Sequence, residues 1–283
     1  MFCIRFFNKF GEIIFGGGMS NSIWKITACD GLSFSGKTIV GAKFAGQDGQ
    51  ETTSVTNNPR TITFAGDVLL DHHSRPLYQK ALQILQEDGF LEITNAEQIR
   101  KIKARCCDFI EKDRKGKYLL YTIQFLCDNP FFEDSQKTIE GIFKVIPNLD
   151  SSFTFPGSFS NRISRKKFVY LGNAKCEPLF NIYIGDVDGG DNTLLISNHT
   201  SGEFLKFNFA EASNSIITVD VENRKIYNSL GENLLKYLSD DSFFDGFHLY
   251  PGENDIEVLN SNMNSGIEVS MSYSNKYSEA VYI

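Results

Sequence analysis

Along most of this chain apolar residues recur at every second position, and a helical period appears in one place. Phe2, Ile4 and Phe6 share one face of a strand; a turn at 8–11 and a short run at 12–15 complete a hairpin pattern. Alternating or β-branched runs follow at 23–29, 61–65, 90–94, 99–106, 117–127 and 141–146. Beyond Asp150 they recur at 152–155, 167–171, 180–184, 193–197, 203–209, 216–221, 225–228, 255–259 and 266–273. Many short strands parted by Gly, Asn and Asp turns predict a mainly β fold built of β-sandwiches.

The exception is 74–88. Ser74 stands where an N-cap is wanted, Pro76 falls in the first turn, and Leu77, Tyr78, Ala81, Leu82, Ile84 and Leu85 form an apolar stripe. Gly89 is expected to stop the helix in the left-handed conformation. A stretch at 41–58, rich in Gly and Thr, shows little periodicity and reads as a loop or extended arm.

The 283 residues favour two domains over one, and the only helix lies in the first half. We therefore divide the chain into 1–150 and 151–283. Charge supports the division. Up to Asp150 there are 18 basic and 18 acidic residues, whereas the remainder has 10 and 17, so the whole net charge of -7 lies in the second part. Such a chain is a poor general binder of nucleic acid, which needs local positive charge.

No run of about 20 apolar residues suits a membrane helix, and Arg5, Asn8, Lys9 and Glu12 interrupt the apolar N-terminus, against a signal peptide. Cys3, Cys29, Cys106, Cys107, Cys127 and Cys176 make no CxxC pair and read as free thiols of a protein made in a reducing cytosol. Asn198-His-Thr200 is a glycosylation sequon by pattern only.

Three motifs invite a sharper reading. Residues 31–38, Gly31-Leu-Ser-Phe-Ser-Gly36-Lys37-Thr38, match the phosphate-loop pattern, but a helix must follow and 39–46 is β-branched and broken by glycine. Residues 185–192 carry Asp186, Asp188 and Asp191 but fail the EF-hand spacing, so an acidic turn is the better reading. Arg100, Lys101, Lys103, Arg105, Lys112, Arg114, Lys115 and Lys117 form a basic cluster without interleaved aromatics, which reads as a solvated face or a partner for acidic groups on a neighbour. His72, His73, His199 and His248 join no nucleophile or paired-carboxylate motif, so we expect no enzyme, no cofactor and no metal.

A series of short features in order does carry a family resemblance. They are Phe6-Phe-Asn-Lys-Phe-Gly11, Asp30-Gly31-Leu32, Gly46-Gln-Asp48-Gly49 and Pro59-Arg60-Thr-Ile-Thr-Phe-Ala-Gly66. After the helix come Ile102-Lys-Ala-Arg105 and Cys127-Asp-Asn-Pro130-Phe-Phe132. The second part adds 172–178, 196–202, Val219-Asp220, Asp240-Asp-Ser242-Phe-Phe244, Leu249-Tyr-Pro251-Gly-Glu-Asn254 and 273–277. With these the chain resembles, end to end, the distal tail proteins of phages, which also occur in prophages and phage-tail-like bacteriocins.

The resemblance implies an N-terminal β-sandwich with one helix and a galectin- or carbohydrate-module-like β-sandwich after it. It implies a homo-hexameric ring at the tail tip that joins the tail tube protein to the hub or spike protein. Receptor-binding or other baseplate proteins attach at the periphery. The protein would be a structural component of the virion tail or of a tail-like particle, without catalysis, membrane insertion or specific nucleic-acid recognition. A ring contact is heterologous, and we look for it in the 41–58 arm, at Asp48 and Gly49, and beside Arg60. The rival reading is a carbohydrate-binding adhesin; sugars stack on exposed aromatics, and Tyr183, Tyr227, Tyr237 and Tyr250 are the candidates, since Trp24, the single tryptophan, lies in the first part.

Overall fold

Alternation in sequence becomes alternation in burial. A computed structural model describes residues 3–16, 22–46, 48–95, 97–144, 163–185, 192–209, 215–261 and 267–281. The chain forms two units, Met1–Ser135 with Tyr277–Ile283, and Gln136–Lys276. The seam at Ser135/Gln136 precedes the sequence division at 150, because the strand Thr138–Lys144 pairs inside the second unit. Residues 145–162, and with them the strand expected at 152–155, lie outside the described residues.

The first unit holds β1 (Cys3–Asn8), β2 (Gly11–Phe15), β3 (Trp24–Asp30), β4 (Lys37–Ala42), β5 (Glu51–Asn57) and β6 (Arg60–Leu69). After α1 (Arg75–Leu85) come β7 (Gly89–Thr94), β8 (Ile99–Lys115), β9 (Tyr118–Cys127) and the short β10 (Phe132–Asp134). Alternation predicts a sandwich here, yet the pairings run β8-β7-β1-β2-β3-β6-β9 and return to β8, closing seven strands into a barrel. The reason is the length of β8. Its first part, Ile99 to Ala104, pairs with β7, and from Arg105 onward it pairs with β9. Bulges at Cys106/Asp108 and Glu111/Arg114 supply the bend and twist that carry one strand between two partners. A period-two pattern is identical for an open and a closed sheet, so sequence could not separate them.

Four phenylalanines from four strands fill the barrel. Phe15 of β2 lies 5.8 Å from Phe64 of β6, and Phe6 of β1 lies 5.0 Å from Phe125 of β9, ring centre to ring centre. All four are fully buried. Helix α1 buries Ala81, Ile84 and Leu85 against this unit, while Leu77, expected on the same stripe, is exposed. Its entry turn is set by Asp71, whose carboxylate accepts from the backbone N–H groups of His73 and Ser74; Ser74 makes no side-chain cap. Gly89 does not stop the helix, which ends at Leu85; it opens β7, where a Cβ would meet the Phe7 carbonyl and the Phe6 ring.

The second unit is all β with two single-turn 3-10 segments. It holds β11 (Thr138–Lys144), β12 (Ile163–Tyr170), β13 (Leu179–Ile184), β14 (Asn192–Asn198), β15 (Glu203–Phe209), β16 (Ser215–Asp220), β17 (Lys225–Asn228), β18 (Gly252–Asn260) and β19 (Ile267–Tyr273). Two antiparallel sheets result, β11-β19-β13-β16-β17 and β12-β18-β14-β15. Their inward residues form one core: Phe180, Ile182 and Val219 from the first sheet with Ile196, Phe207 and Val258 from the second. Phe247, from the segment between β17 and β18, packs edge-on to Phe180.

Candidate functional site

Among the described residues, strands β4 and β5 form a separate two-stranded ribbon that no third strand joins. The ribbon leaves after β3 and returns to β6. Its root is tied by the Asn58 N–H donating to the Gly36 carbonyl at 2.9 Å and by Thr38 Oγ1 with Asn58 Oδ1 at 2.6 Å. Register runs from Lys37↔Asn57 to Ala42↔Glu51, with a bulge between Val40 and Gly41. The sequence signal is the β-branched pair of runs Thr38-Ile-Val40 and Thr52-Thr-Ser-Val-Thr56, which the surrounding glycines mask.

Every described side chain of β5, and all but Ala42 of β4, is exposed. Ile39 and Val55 sit directly opposite each other, 57% and 52% exposed, with Val40 and Phe44 nearby along the arm. An isolated two-stranded ribbon is marginal in water, and one carrying four large exposed apolar side chains is a surface that gains by being covered.

Asp48 and Gly49 lie in the segment joining β4 to β5, both exposed; Gly49 has φ +92° with open space around it. Arg60 does not join them. It is the first residue of β6, 3% exposed, and it holds the root of the arm. Its Nε donates to the Pro130 carbonyl at 2.9 Å, Nη1 to the carbonyls of Gly31 (2.8 Å) and Ser33, and Nη2 to that of Ser278 at 2.5 Å. Burial pulls its guanidinium below the usual arginine range, and the ring of Phe132 lies beneath it at 4.7 Å. Arg60 thus joins the end of β3, the loop before β10 and the chain's last described segment.

The phosphate-loop pattern dissolves in this geometry. Gly31, at φ +84°, makes the strand-end turn, and a Cβ there would land on the Thr61 carbonyl. Lys37 lies over the Phe34 ring, Thr38 bonds Asn58, and β4 follows where a helix would be required. Three members of the basic cluster are committed inside their own unit. Arg100 donates to the Glu279 carbonyl and covers the Tyr277 ring, Lys101 reaches the Ser135 carbonyl, and Arg105 grips Asp88 bidentately.

In the second unit His248 and His199 lean on Glu177 (3.3 Å) and Glu257 (2.7 Å). Asn198, of the sequon, is buried: its Nδ2 donates to the His248 carbonyl and its Oδ1 accepts from the Thr200 N–H. The acidic run 186–191 lies outside the described residues. Among the described residues no three His, Cys, Asp or Glu side chains group as a metal site, and no helix is long and apolar enough to cross a membrane. Of the four tyrosines considered for sugar stacking, Tyr183 is exposed on β13, level with Ile216 and Glu268, and the others are half-buried.

Residues 171–277 match the family described as siphovirus-type tail component, C-terminal domain. A search of curated proteins finds no match. Among solved structures, the chain is similar to the Dit (gp 19.1) protein of phage SPP1, described as a paradigm of the hub adsorption apparatus in phages infecting Gram-positive hosts. The TM-score is 0.66 at 13% identity, over 98% of this chain and 99% of that one. Chains of the phage P2 baseplate in its activated conformation align over 96% of this chain and 98% of theirs with calcium, and 95% and 98% with strontium. Their TM-scores of 0.49 and 0.47, at 11% and 12% identity, carry no argument. The SPP1 likeness is one of fold over the whole chain.

Proposed function

We propose that this chain, whose residues 171–277 match a siphovirus-type tail component, is a non-catalytic structural protein that closes into a homo-hexameric ring at the tail tip. The ring joins the tail tube protein to the hub or spike protein. Residues 1–150 form the ring, and 151–283, read as a galectin-like β-sandwich, project outward and offer attachment to receptor-binding or other baseplate proteins. The observation that carries this reading is the β4–β5 arm: a ribbon that no third strand joins among the described residues, with Ile39, Val40, Phe44 and Val55 exposed along it. Asp48 and Gly49 belong to the contact surface at its tip. Arg60 serves the contact from beneath, by fixing where the arm leaves the barrel.

Mass photometry with electron microscopy tests the ring. The wild-type chain is expected as a hexamer in its assembled form, and Ile39→Asn with Val55→Asn as a monomer whose thermal unfolding is unchanged. Intact rings after deletion of 41–58 would remove the arm from the assembly. The adhesin alternative is tested by a glycan array on the full chain, where Tyr183→Ala should abolish any binding that is seen.

A further inference from the structure

We propose that the β4–β5 arm of one copy seats in an apolar cleft between α1 and the β2–β3 side of the next copy's barrel. This deepens the assembly reading above and rests on it. The cleft, about 330 Å³, is lined by Ile13, Ile14, Trp24, Leu77, Ala81 and Ile84, with Glu12 and Lys80 also at its wall. Leu77 is 55% exposed on the helix face that its neighbours Ala81 and Ile84 bury, so the apolar stripe of α1 extends past its own core. Among the described residues Leu77 is thus an exposed apolar side chain at the rim, over a floor of the buried Ile13, Trp24, Ala81 and Ile84.

The arm and the cleft lie at opposite ends of one strand. β3 begins at Trp24, in the cleft wall, and ends at Asp30, next to the root of the arm. Six steps of about 3.3 Å along the strand place them about 20 Å apart. The arm's exposed side chains show that it does not fold back into its own cleft. Two unlike surfaces, one at each end of a rigid barrel strand, are what a heterologous contact requires, because the front of one copy meets the back of the next.

Chemistry fits the pairing. The arm offers Phe44 (53% exposed) with Ile39 and Val55, and a 330 Å³ cleft is at the small end of the range that takes such groups. Both surfaces carry charges of both signs: Lys43, Asp48 and Glu51 along the arm, Glu12 and Lys80 at the cleft. Lys80 facing an acidic arm residue and Glu12 facing Lys43 would fix the register of insertion, while the apolar contact supplies most of the affinity.

Cross-linking between separately labelled pools tests the contact. In a background with Cys29, Cys106 and Cys107 replaced by Ser, one pool carries Phe44→Cys and the other Leu77→Cys. Mixing and oxidation should give covalent dimers, with at least tenfold less from either pool alone. Leu77→Glu, a change at an exposed position, should abolish rings in mass photometry with the unfolding midpoint unchanged. Trp24, the only tryptophan, should shift its emission on assembly of the wild-type chain and not of Phe44→Ala. If rings form, Leu77→Glu leaves them intact and no mixed dimer appears, the cleft is not the arm's seat, although the ring reading survives. If no oligomer forms under any condition, both readings fall. Mixed dimers that never grow beyond two copies would support the seat and overturn the hexamer.

Discussion

Lys276 Nζ lies 2.7 Å from Glu177 Oε2 inside the second unit, with 5% of the lysine side chain exposed. Glu222 holds the same ammonium at 2.9 Å, and His248 Nε2 approaches the other Glu177 oxygen at 3.3 Å. Burial by itself would raise the Glu177 carboxyl, but its bonds to His248 and Lys276 prevail and hold it at about 2. The bond to Glu177 raises His248 above 6.5 against its own burial and the nearby Lys175.

The signs of these two shifts set a pH window. Glu177 contributes stability that is present above pH 4.5 and is lost as pH falls toward 2, on the order of 3 kcal/mol. His248, raised in the fold, contributes fully below 6.5 and loses its share as pH climbs through its folded value. Hydrogen exchange of Ile267–Tyr273 should therefore be slowest between about pH 5 and 6.5 after correction for intrinsic rates. Glu177→Gln should flatten the acid side. An unchanged acid profile in that variant would show that another carboxylate sets it.

Arg60→Ala takes the charged donor from the part-buried carbonyls of Gly31, Ser33, Pro130 and Ser278 and should cost about 2–3 kcal/mol. Arg60→Lys should recover only part of this, because an ammonium lacks the guanidinium fork that spans four acceptors. Denaturant unfolding followed by Trp24 fluorescence reads the first unit directly. A loss below about 1 kcal/mol for Arg60→Ala would mean that water replaces the side chain without penalty.

Gly31→Ala is expected to destabilise by at least about 2 kcal/mol, since alanine is strained at φ +84° and its Cβ meets the Thr61 carbonyl. Lys37→Ala and Thr38→Ala, the residues a nucleotide would need, should each change stability by less than about 1 kcal/mol. Magnesium ATP should leave the melting temperature of the wild-type chain where it is. A dose-dependent rise would restore the phosphate-loop reading.

Asn198→Ala removes the donor to the His248 carbonyl and the acceptor for the Thr200 N–H and should cost about 1–3 kcal/mol. Asn198→Asp should be no better, because the carboxylate cannot donate to that carbonyl. Thermal unfolding of the two variants settles this, and a silent Asn198→Ala would make the pair of bonds dispensable.

Much of the β character was legible because burial follows alternation residue by residue, as at Ile62, Phe64 and Val68 of β6. Closure into a barrel was not legible, because it depends on how far β8 extends and where it bulges, at Cys106/Asp108. The arm was placed by the glycine- and threonine-rich stretch, but its strands were not: exposed on both faces, they have no core to impose a period on Ile39 and Val40. Arg60 was picked out for the surface and lies under it. Four of its partners are backbone carbonyls, which leave no mark in a sequence.

The first unit is sewn shut by its last thread. Ser278 accepts from Arg60, the Glu279 carbonyl accepts from Arg100, and Ala280 and Val281 are buried in the same core as Phe6 and Phe64. A ribosome that has delivered the whole barrel still has the 141 residues of the second unit to make before it reaches Tyr277. Until then Arg60 lacks its Ser278 acceptor and the core lacks Ala280 and Val281. Order of synthesis therefore acts as a timer: the core of the first unit is completed only after the second unit has been translated.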